Sequence, residues 1–273
     1  MSTLNETVST RWLSVLRCTG TDRVSFLQGQ LTQDIARLNE ASPALPAGCC
    51  DPKGRVIATM TLVWLPDEIL MLVHHELAQP LIDHLSRYRL RSDVQFDVAD
   101  ELAVVPALAR HTGHQIALWR KEGNGWRIGV MHEQIVAAED VEQRTGVEES
   151  RWRKLRLVAG ILDLPIASSG QFTPHMLNLD KIGAISFTKG CYTGQEIVAR
   201  TEHLGKVKRR ARLLRLVDRT GKPVAAGQSI TIDGRKAGTV VASATTTIAA
   251  VCGEMSHADR LRLDDDRSVS FID

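Results

Sequence analysis

A series of short apolar segments near the C-terminus constrains the fold most strongly. The segments lie at residues 213–217, 229–232, 237–242, 248–251, 261–263 and 269–272. Turn signals such as Asp233-Gly234 separate them, and little helical periodicity lies between them. Short strands in close succession are typical of a small β-barrel or sandwich. We therefore predict a C-terminal β domain over residues 204–273.

The rest of the chain mixes helices with strands. Apolar residues at helical spacing predict helices over 21–38, 76–88 and 150–159. The last of these places Trp152, Leu155 and Val158 on one apolar face. Strands are predicted over 56–64, 69–74, 102–108, 116–119 and 126–130, the first of them after a type I turn at 51–54. This mixture predicts an α+β protein.

Composition and charge exclude several classes of function. The 273 residues carry a formal net charge of +2, which provides no general attraction for nucleic acid or anionic membranes. The polar N-terminus lacks the features of a signal peptide, and no apolar run reaches the roughly 18 residues that a membrane helix needs. Five cysteines without a CxxC pair indicate reduced thiols. We therefore expect a soluble, cytoplasmic protein with no membrane contact and no direct binding of nucleic acid.

The segment 189–200, with the sequence KGCYTGQEIVAR, is the candidate functional centre. Thr193 and Glu196 have the spacing of a capping box, which predicts a helix that begins at Gly194. Cys191 then precedes a helix N-terminus and lies two residues from Lys189. Both positive groups favour the thiolate form, so Cys191 is predicted to be the most reactive cysteine of the chain.

The same segment allows a second interpretation. In the functional interpretation, Gly190 lets a ligand or backbone approach a reactive Cys191 closely. In the structural one, the segment is a tight strand-to-helix connection around a buried, inert cysteine. The residues alone leave both open. The basic residues that follow can hold phosphates but are more typical of a solvated face; they are Lys206, Lys208, Arg209, Arg210, Arg212 and Arg215. The histidines show no metal-ligand spacing, so no metal site is predicted.

The segment KGCYTGQEIVAR closely resembles the signature of the YgfZ-type folate-binding proteins, relatives of the aminomethyltransferase of the glycine cleavage system. Other stretches resemble the family in the expected order. They are FLQGQLT at 26–32, DPKGR at 51–55, SGQFTP at 169–174 and the basic run at 206–210. The resemblance therefore covers nearly the whole chain.

This resemblance implies three small domains in a ring around a central channel that holds tetrahydrofolate. The first domain would comprise residues 1–50 and 150–203, the second 51–149, and the third, a small β-barrel, 204–273. The family contacts folate with two tryptophans. Trp152 matches one of them, and Trp12 lies next to the position of the other, which Leu13 occupies.

The signature implies the remaining site residues. The cofactor-binding ones are Gly190, Tyr192, Gln195, Glu196 and Arg200. Cys191 and Lys189 are the candidate catalytic residues. The resemblance does not specify a reaction, so the sequence leaves open whether the chain is an enzyme.

The function that the resemblance implies is the binding of tetrahydrofolate in support of iron–sulfur cluster assembly or repair, and thereby of tRNA methylthiolation. The partners would be folate and iron–sulfur assembly proteins or client enzymes. One alternative is a true aminomethyltransferase, although that family has an Asn- and Asp-containing stretch where this chain reads MLVHHELAQPLIDHL. The other is a non-enzymatic scaffold that binds partners beside a vestigial folate pocket.

Overall fold

The computed structural model describes residues 12–106, 120–122, 125–128, 133–137, 149–218, 221–253 and 260–272. The strand predicted at 116–119 lies outside these residues, as do the last residues of the strands predicted at 102–108 and 126–130. The α-helices of the described residues are α1 (Arg23–Gln30), α2 (Ala78–Ser86), α3 (Glu149–Val158) and α4 (Gln195–Leu204). None of these helices is both long and apolar enough to cross a membrane.

The first two sheets lie in the N-terminal part of the chain. The strands of the first are β1 (Leu13–Thr19), β2 (Ala44–Cys50), β3 (Val56–Trp64), β4 (Ile69–His74) and β5 (Gln95–Val98), in the order β2-β3-β4-β1-β5. Those of the second are β6 (Leu102–Pro106), β7 (Arg120–Glu122), β8 (Gly125–Ile128) and β9 (Glu133–Ala137), in the order β6-β9-β8-β7. The bounds of β3 and β4 confirm the predicted strands at 56–64 and 69–74.

The third sheet contains the C-terminal strands that the sequence predicts. They are β10 (Arg209–Leu216), β11 (Ser229–Ile232), β12 (Arg235–Ala244), β13 (Thr247–Gly253), β14 (Leu261–Leu263) and β15 (Val269–Phe271). Their order is β14-β11-β12-β13-β10-β15, and an antiparallel bridge between Arg262 and Ser268 brings the two outer strands together. The sheet is therefore nearly closed into a barrel around its own apolar core.

The chain divides into two compact units. The first comprises Met1–Phe26, Ile35–Leu45 and Met60–Trp152, and the second comprises Leu27–Asp34, Pro46–Thr59 and Arg153–Asp273. The mixture of helices and strands confirms the predicted class. The division into three domains and their arrangement in a ring stay predictions.

The helix predicted over 21–38 is wrong in its C-terminal half. Helix α1 ends at Gln30, and Leu31 instead forms a β-bridge with Cys49. Thr32 then donates its backbone N–H to the carbonyl oxygen of Gly48 at 2.9 Å, and its hydroxyl oxygen accepts the N–H of Gly48 at 2.8 Å. These bonds to a distant segment replace the next turn of helix, which local periodicity does not reveal.

The predicted apolar face of α3 is also wrong. Trp152 is buried, but Leu155 and Val158 are 42% and 53% exposed. Arg156, one turn after Trp152, points inward because Asp163 accepts two hydrogen bonds from its guanidinium, at 2.7 and 2.6 Å. A bidentate pair offsets the cost of burying both charges, so a polar residue takes a position that periodicity assigns to apolar ones.

Candidate functional site

The segment that carries Cys191 is an irregular loop, residues 187–194, that leads into α4. The loop is bonded to residues 29–32 of the same unit. The backbone N–H of Thr193 donates to the carbonyl oxygen of Gly29 at 3.2 Å, and Ser186 donates to that of Thr32 at 2.9 Å. Backbone bonds at both ends therefore fix where the loop lies.

Lys189 anchors the centre of this loop. Its ammonium donates to the carbonyl oxygens of Gln28 at 2.5 Å, Leu31 at 2.8 Å and Gln33 at 2.8 Å. An ammonium has three protons, so these bonds use all of its donors. Gln28 lies in the last turn of α1, where carbonyl groups lack helical partners and where the helix dipole favours a cation. Lys189 therefore caps α1 and ties the loop to it.

The surroundings of Lys189 are enclosed. Burial lowers the pKa of its ammonium to about 8, and the negative charge of Asp34 acts in the opposite direction. The ammonium also lies 5.0 Å from the centre of the Tyr192 ring, within cation–π range. Burial raises the pKa of the Tyr192 phenol well above its ordinary value, with a smaller contribution from Cys50. Tyr192 is thus a buried neutral ring beside the cation.

The cysteines divide sharply by exposure. Cys191 is exposed, whereas the other four are buried. Burial raises the pKa of Cys18 and Cys49 to about 12 and that of Cys252 to about 11, and it raises that of Cys50 as well. A buried thiol with a raised pKa reacts slowly, because the thiolate is the nucleophile. The structural interpretation is wrong in placing Cys191 in a buried position, and the predicted reactivity of Cys191 stays a prediction.

The two glycines of the loop differ in their surroundings. Gly194 has a φ of +82°, and a Cβ atom there would lie 2.5 Å from the carbonyl oxygen of Asp51 and 3.0 Å from the Cα atom of Gly54. It is needed for the close approach of α4 to the turn at 51–54. A Cβ atom at Gly190 would meet no atom of the described residues within 4 Å. Gly190 therefore borders open space next to Cys191.

The predicted capping box is wrong. The N-cap residue of α4 is Gly194, and no side chain bonds to the cap. The hydroxyl of Thr193 donates instead to the side-chain oxygen of Gln30 at 3.3 Å, and the side-chain oxygen of Gln195 accepts the N–H of Tyr192 at 3.3 Å. The glycine with positive φ turns the chain at the helix start, so Thr193 faces α1.

The implied ligand-binding residues fall into two groups, one in each unit. Gly190, Tyr192, Gln195, Glu196 and Arg200 all belong to the loop and to α4 of the second unit, with Glu196 and Arg200 exposed. Trp12 and Trp152 belong to the first unit, where the apolar core between the strands contains Trp152 and Trp12 packs against it. Trp152 is only 1% exposed. The roles of these residues in ligand binding stay predictions.

Two histidines extend the aromatic surface at Trp12. The Trp12 and His74 rings meet edge to face with centroids 4.3 Å apart, and the His74 and His75 rings stack at 4.7 Å. His74 is buried and His75 is exposed, so the aromatic series reaches the surface. Their spacing in the sequence predicts no metal site. Their place at the end of a buried strand is a signal that could have indicated an aromatic role.

A second polar cluster was not predicted. His175, Asp180 and Glu202 bring one nitrogen and two carboxylate oxygens within 4.8 Å of one another. The Nε2 atom of His175 lies 2.9 Å from Glu202, and Arg210 donates to Asp180 at 2.9 Å. The guanidinium of Arg210 already pairs with Asp180, and His175 pairs with Glu202, so side chains of the chain itself occupy these ligand atoms. We assign this cluster to the packing of the loop at 174–180 against β10.

No protein-family model matches the chain. It is 31% identical over 222 residues to the tRNA-modifying protein YgfZ of Escherichia coli (strain UTI89 / UPEC), covering 72% of this chain and 68% of that protein. It is 31% identical over 208 residues to an uncharacterized protein of Haemophilus influenzae, covering 76% and 72%. The tRNA-modifying protein YgfZ of Hamiltonella defensa is 29% identical over 225 residues, and the chain spans 65% of its length.

Among solved structures, the chain is similar to the glycine cleavage system aminomethyltransferase T of Bartonella henselae. The TM-score is 0.66, with 14% sequence identity, and the match covers 97% of this chain and 84% of that one. At this identity the similarity shows a shared fold.

Proposed function

The chain belongs to the YgfZ family, and from this membership we propose that it binds tetrahydrofolate or a derivative and supports the assembly or repair of iron–sulfur clusters. Through those clusters it supports the methylthiolation of tRNA. Its partners in this role are iron–sulfur assembly proteins or client enzymes, and its place of action is the cytoplasm. The names of the curated relatives support the link to tRNA modification.

The observation that carries the proposal is that only one of the five cysteine thiols is exposed. Cys191 is exposed on a loop that Lys189 fixes through three hydrogen bonds, whereas the other cysteines are buried. An exposed thiol on a rigid loop can bind iron from a cluster or form a transient disulfide with a partner. With its donors fully used by carbonyl groups, Lys189 acts by positioning the loop.

The aromatic and open surfaces are suited to a planar ligand. Trp12 and the exposed His75 offer ring faces on which a pterin or benzoyl group could stack. In the second unit, Gly190 leaves open space, and Gln195, Glu196 and Arg200 offer hydrogen-bonding groups. Trp152 lies in the buried apolar cluster against which Trp12 packs. In our proposal Trp152 holds Trp12 in place and does not contact the ligand itself.

Titration with tetrahydrofolate tests the binding. Binding should quench tryptophan fluorescence in the wild-type chain, and Trp12→Ala should weaken the affinity by about fivefold, which corresponds to the ~1 kcal/mol of one aromatic contact. Trp64→Phe, which changes another tryptophan of the same unit, is the control and should bind as wild type does. Failure of the wild-type chain to bind would leave only the scaffold alternative.

A complementation experiment tests the role of the thiol. In cells that lack the chain, wild type should restore the activity of iron–sulfur enzymes under oxidative stress and the methylthiolated nucleosides of tRNA. Cys191→Ser should restore neither, although its melting temperature stays that of wild type. Cys252→Ser changes a buried thiol and is the control. As long as this variant folds, it should restore both activities. Full complementation by Cys191→Ser would contradict the proposal.

The shared fold with an aminomethyltransferase favours that activity as a second candidate. The chain would then produce methylene-tetrahydrofolate when it is mixed with the other components of a glycine cleavage system. We expect no turnover in this assay, because the family's Asn- and Asp-containing stretch is replaced here by residues of β4 and α2. Sustained turnover would favour the second candidate.

A further inference from the structure

The segment that follows α2, residues 87–91, is an exposed tip in the first unit. It has the sequence Arg-Tyr-Arg-Leu-Arg, and all of its residues are exposed. Leu90 is 91% exposed and Tyr88 is 37% exposed. A single exposed leucine is common on protein surfaces. Here the leucine lies beside a tyrosine and three arginines, and together they form a compact apolar and basic surface.

The backbone at Leu90 is strained. Its φ is +46°, in the left-handed region that a leucine rarely adopts. The N–H of Ser92 donates to the carbonyl oxygen of Arg89 at 2.8 Å, so Leu90 occupies the first central position of a turn. Glycine or asparagine would take this conformation at lower cost, whereas leucine costs on the order of 1 kcal/mol. Strain at a fully exposed apolar residue indicates a role outside the packing of the chain.

The charges of the tip are unbalanced. None of the ion pairs in the described part of the chain involves Arg87, Arg89 or Arg91. The nearby carboxylates are engaged with backbone groups: Asp22 accepts the N–H of Asp93 at 2.8 Å, and Asp93 accepts the N–H of Thr21 at 3.0 Å. The side chain of Arg89 donates to the carbonyl oxygen of Val94 at 3.3 Å, whereas Arg87 and Arg91 are exposed. The three arginines outnumber the two carboxylates, so the tip keeps a positive charge.

An open cavity lies beside the tip. Its volume is about 660 Å³, and its lining is mostly apolar; the lining residues are Asp22, Tyr88, Arg89, Leu90, Arg91 and Ser92. A cavity this open is suited to a side chain presented by a larger molecule, since a small ligand would stay largely in water.

We propose that residues 87–91 and the adjoining cavity are a docking surface for an acidic segment of a partner protein, in which carboxylates flank an apolar side chain. The arginines pair with the carboxylates, and the cavity beside Leu90 receives the apolar side chain. Tyrosine and arginine are the residues that most often dominate the energy of protein interfaces. Charge complementarity favours an acidic partner.

The chemistry of the tip favours a protein over a nucleic acid or a membrane. Leucine finds no complementary apolar pocket on RNA, whereas peptide side chains provide one. An anionic lipid surface requires a broader basic face than three arginines on one turn.

A binding experiment with the full chain tests the proposal. The probe is a fluorescein-labelled peptide with a Glu-Asp-Leu-Glu-Asp core, and fluorescence anisotropy reports its binding at low ionic strength. Wild type should bind it, and Arg91→Glu should weaken binding by about tenfold, as expected for loss of one anchoring arginine. The matched control is Arg235→Glu, which makes the same charge change at an exposed residue of β12 and should bind as wild type does.

A second variant separates docking from folding. Leu90→Gly removes the apolar side chain and relieves the φ strain, so it should melt no lower than wild type while binding the peptide about tenfold more weakly. Equal peptide binding by wild type, Arg91→Glu and Leu90→Gly would overturn the proposal. So would tighter binding to oligouridylate, or to vesicles of equal parts phosphatidylglycerol and phosphatidylcholine, if the same variants abolish it.

Discussion

The ammonium of Lys189 donates to the carbonyl oxygen of Gln28 at 2.5 Å, and this bond joins the loop that carries the exposed thiol to the last turn of α1. Two more carbonyl groups complete the shell around the ammonium. Lys189 therefore fixes the position of Cys191 through the backbone.

Replacement of Lys189 tests this anchoring role. Lys189→Met keeps the length of the side chain but leaves three carbonyl groups without a donor, so unfolding should become easier by about 3 kcal/mol. A lower urea midpoint would measure this loss. Lys181→Met, at an exposed lysine of the same unit, is the control and should leave the midpoint unchanged. Equal midpoints for Lys189→Met and wild type would show that the hydrogen bonds contribute nothing.

The exposure of Cys191 predicts selective alkylation. Under native conditions iodoacetamide should label Cys191 first, because burial protects the other cysteines and raises the pKa of their thiols. Mass spectrometry of tryptic peptides identifies the labelled position, and labelling in denaturant is the control in which all five should react. Early labelling of Cys49 or Cys252 in the native chain would contradict the burial pattern.

The glycines of the loop provide a matched pair of substitutions. Gly194→Ala should lower the free energy of unfolding by about 2 kcal/mol or more, because a Cβ atom meets the backbone and φ is positive there. Gly190→Ala should change the free energy of unfolding by no more than about 0.5 kcal/mol, because no atom of the described residues lies within 4 Å of the added Cβ atom. If a ligand approaches Gly190, that variant should still weaken tetrahydrofolate binding. Equal stability of both variants would contradict the packing of α4 on the turn.

The two tryptophans should also differ in how much their replacement lowers the free energy of unfolding. Trp152→Ala removes an indole that is 1% exposed, so it should cost about 3–5 kcal/mol of folding free energy. Trp12→Ala removes a half-buried ring and should cost less than half of that amount. Chemical denaturation measures both. A mild loss for Trp152→Ala would mean that its surroundings collapse into the cavity.

Stability should fall at alkaline pH. The buried thiols have pKa values of about 11–12 in the folded chain, against an ordinary 9.0 that applies when the chain is unfolded. From pH 9 to about pH 11 the folded chain holds more protons on these thiols than the unfolded chain does. Each thiol therefore lowers the free energy of unfolding by up to ~1.4 kcal/mol per pH unit. Lys189 acts in the opposite sense, because its pKa is lowered from 10.5 to about 8.

Melting curves across this range test the linkage. Cys252→Ala should show a shallower fall in melting temperature above pH 9 than wild type, whatever its stability at neutral pH. Identical slopes would mean that Cys252 does not contribute.

Local sequence determined much of the fold. Alternating and continuous apolar runs predicted β3, β4, β11 and β14 to the residue, because a strand at least half buried leaves that pattern directly in its sequence. The segment 189–200 also singled out Cys191 among the five cysteines, but the residues alone left open whether it is buried, and the structure shows that it is exposed.

The tertiary structure decided what depends on distant partners. Helix α1 stops at Gln30 because Gly48 and Lys189 take the backbone groups of the next turn. Lys189 caps α1 because three carbonyl groups converge on its ammonium. Sequence periodicity reports which side of an element is apolar, but a hydrogen bond between residues 161 positions apart depends on where the whole chain places them.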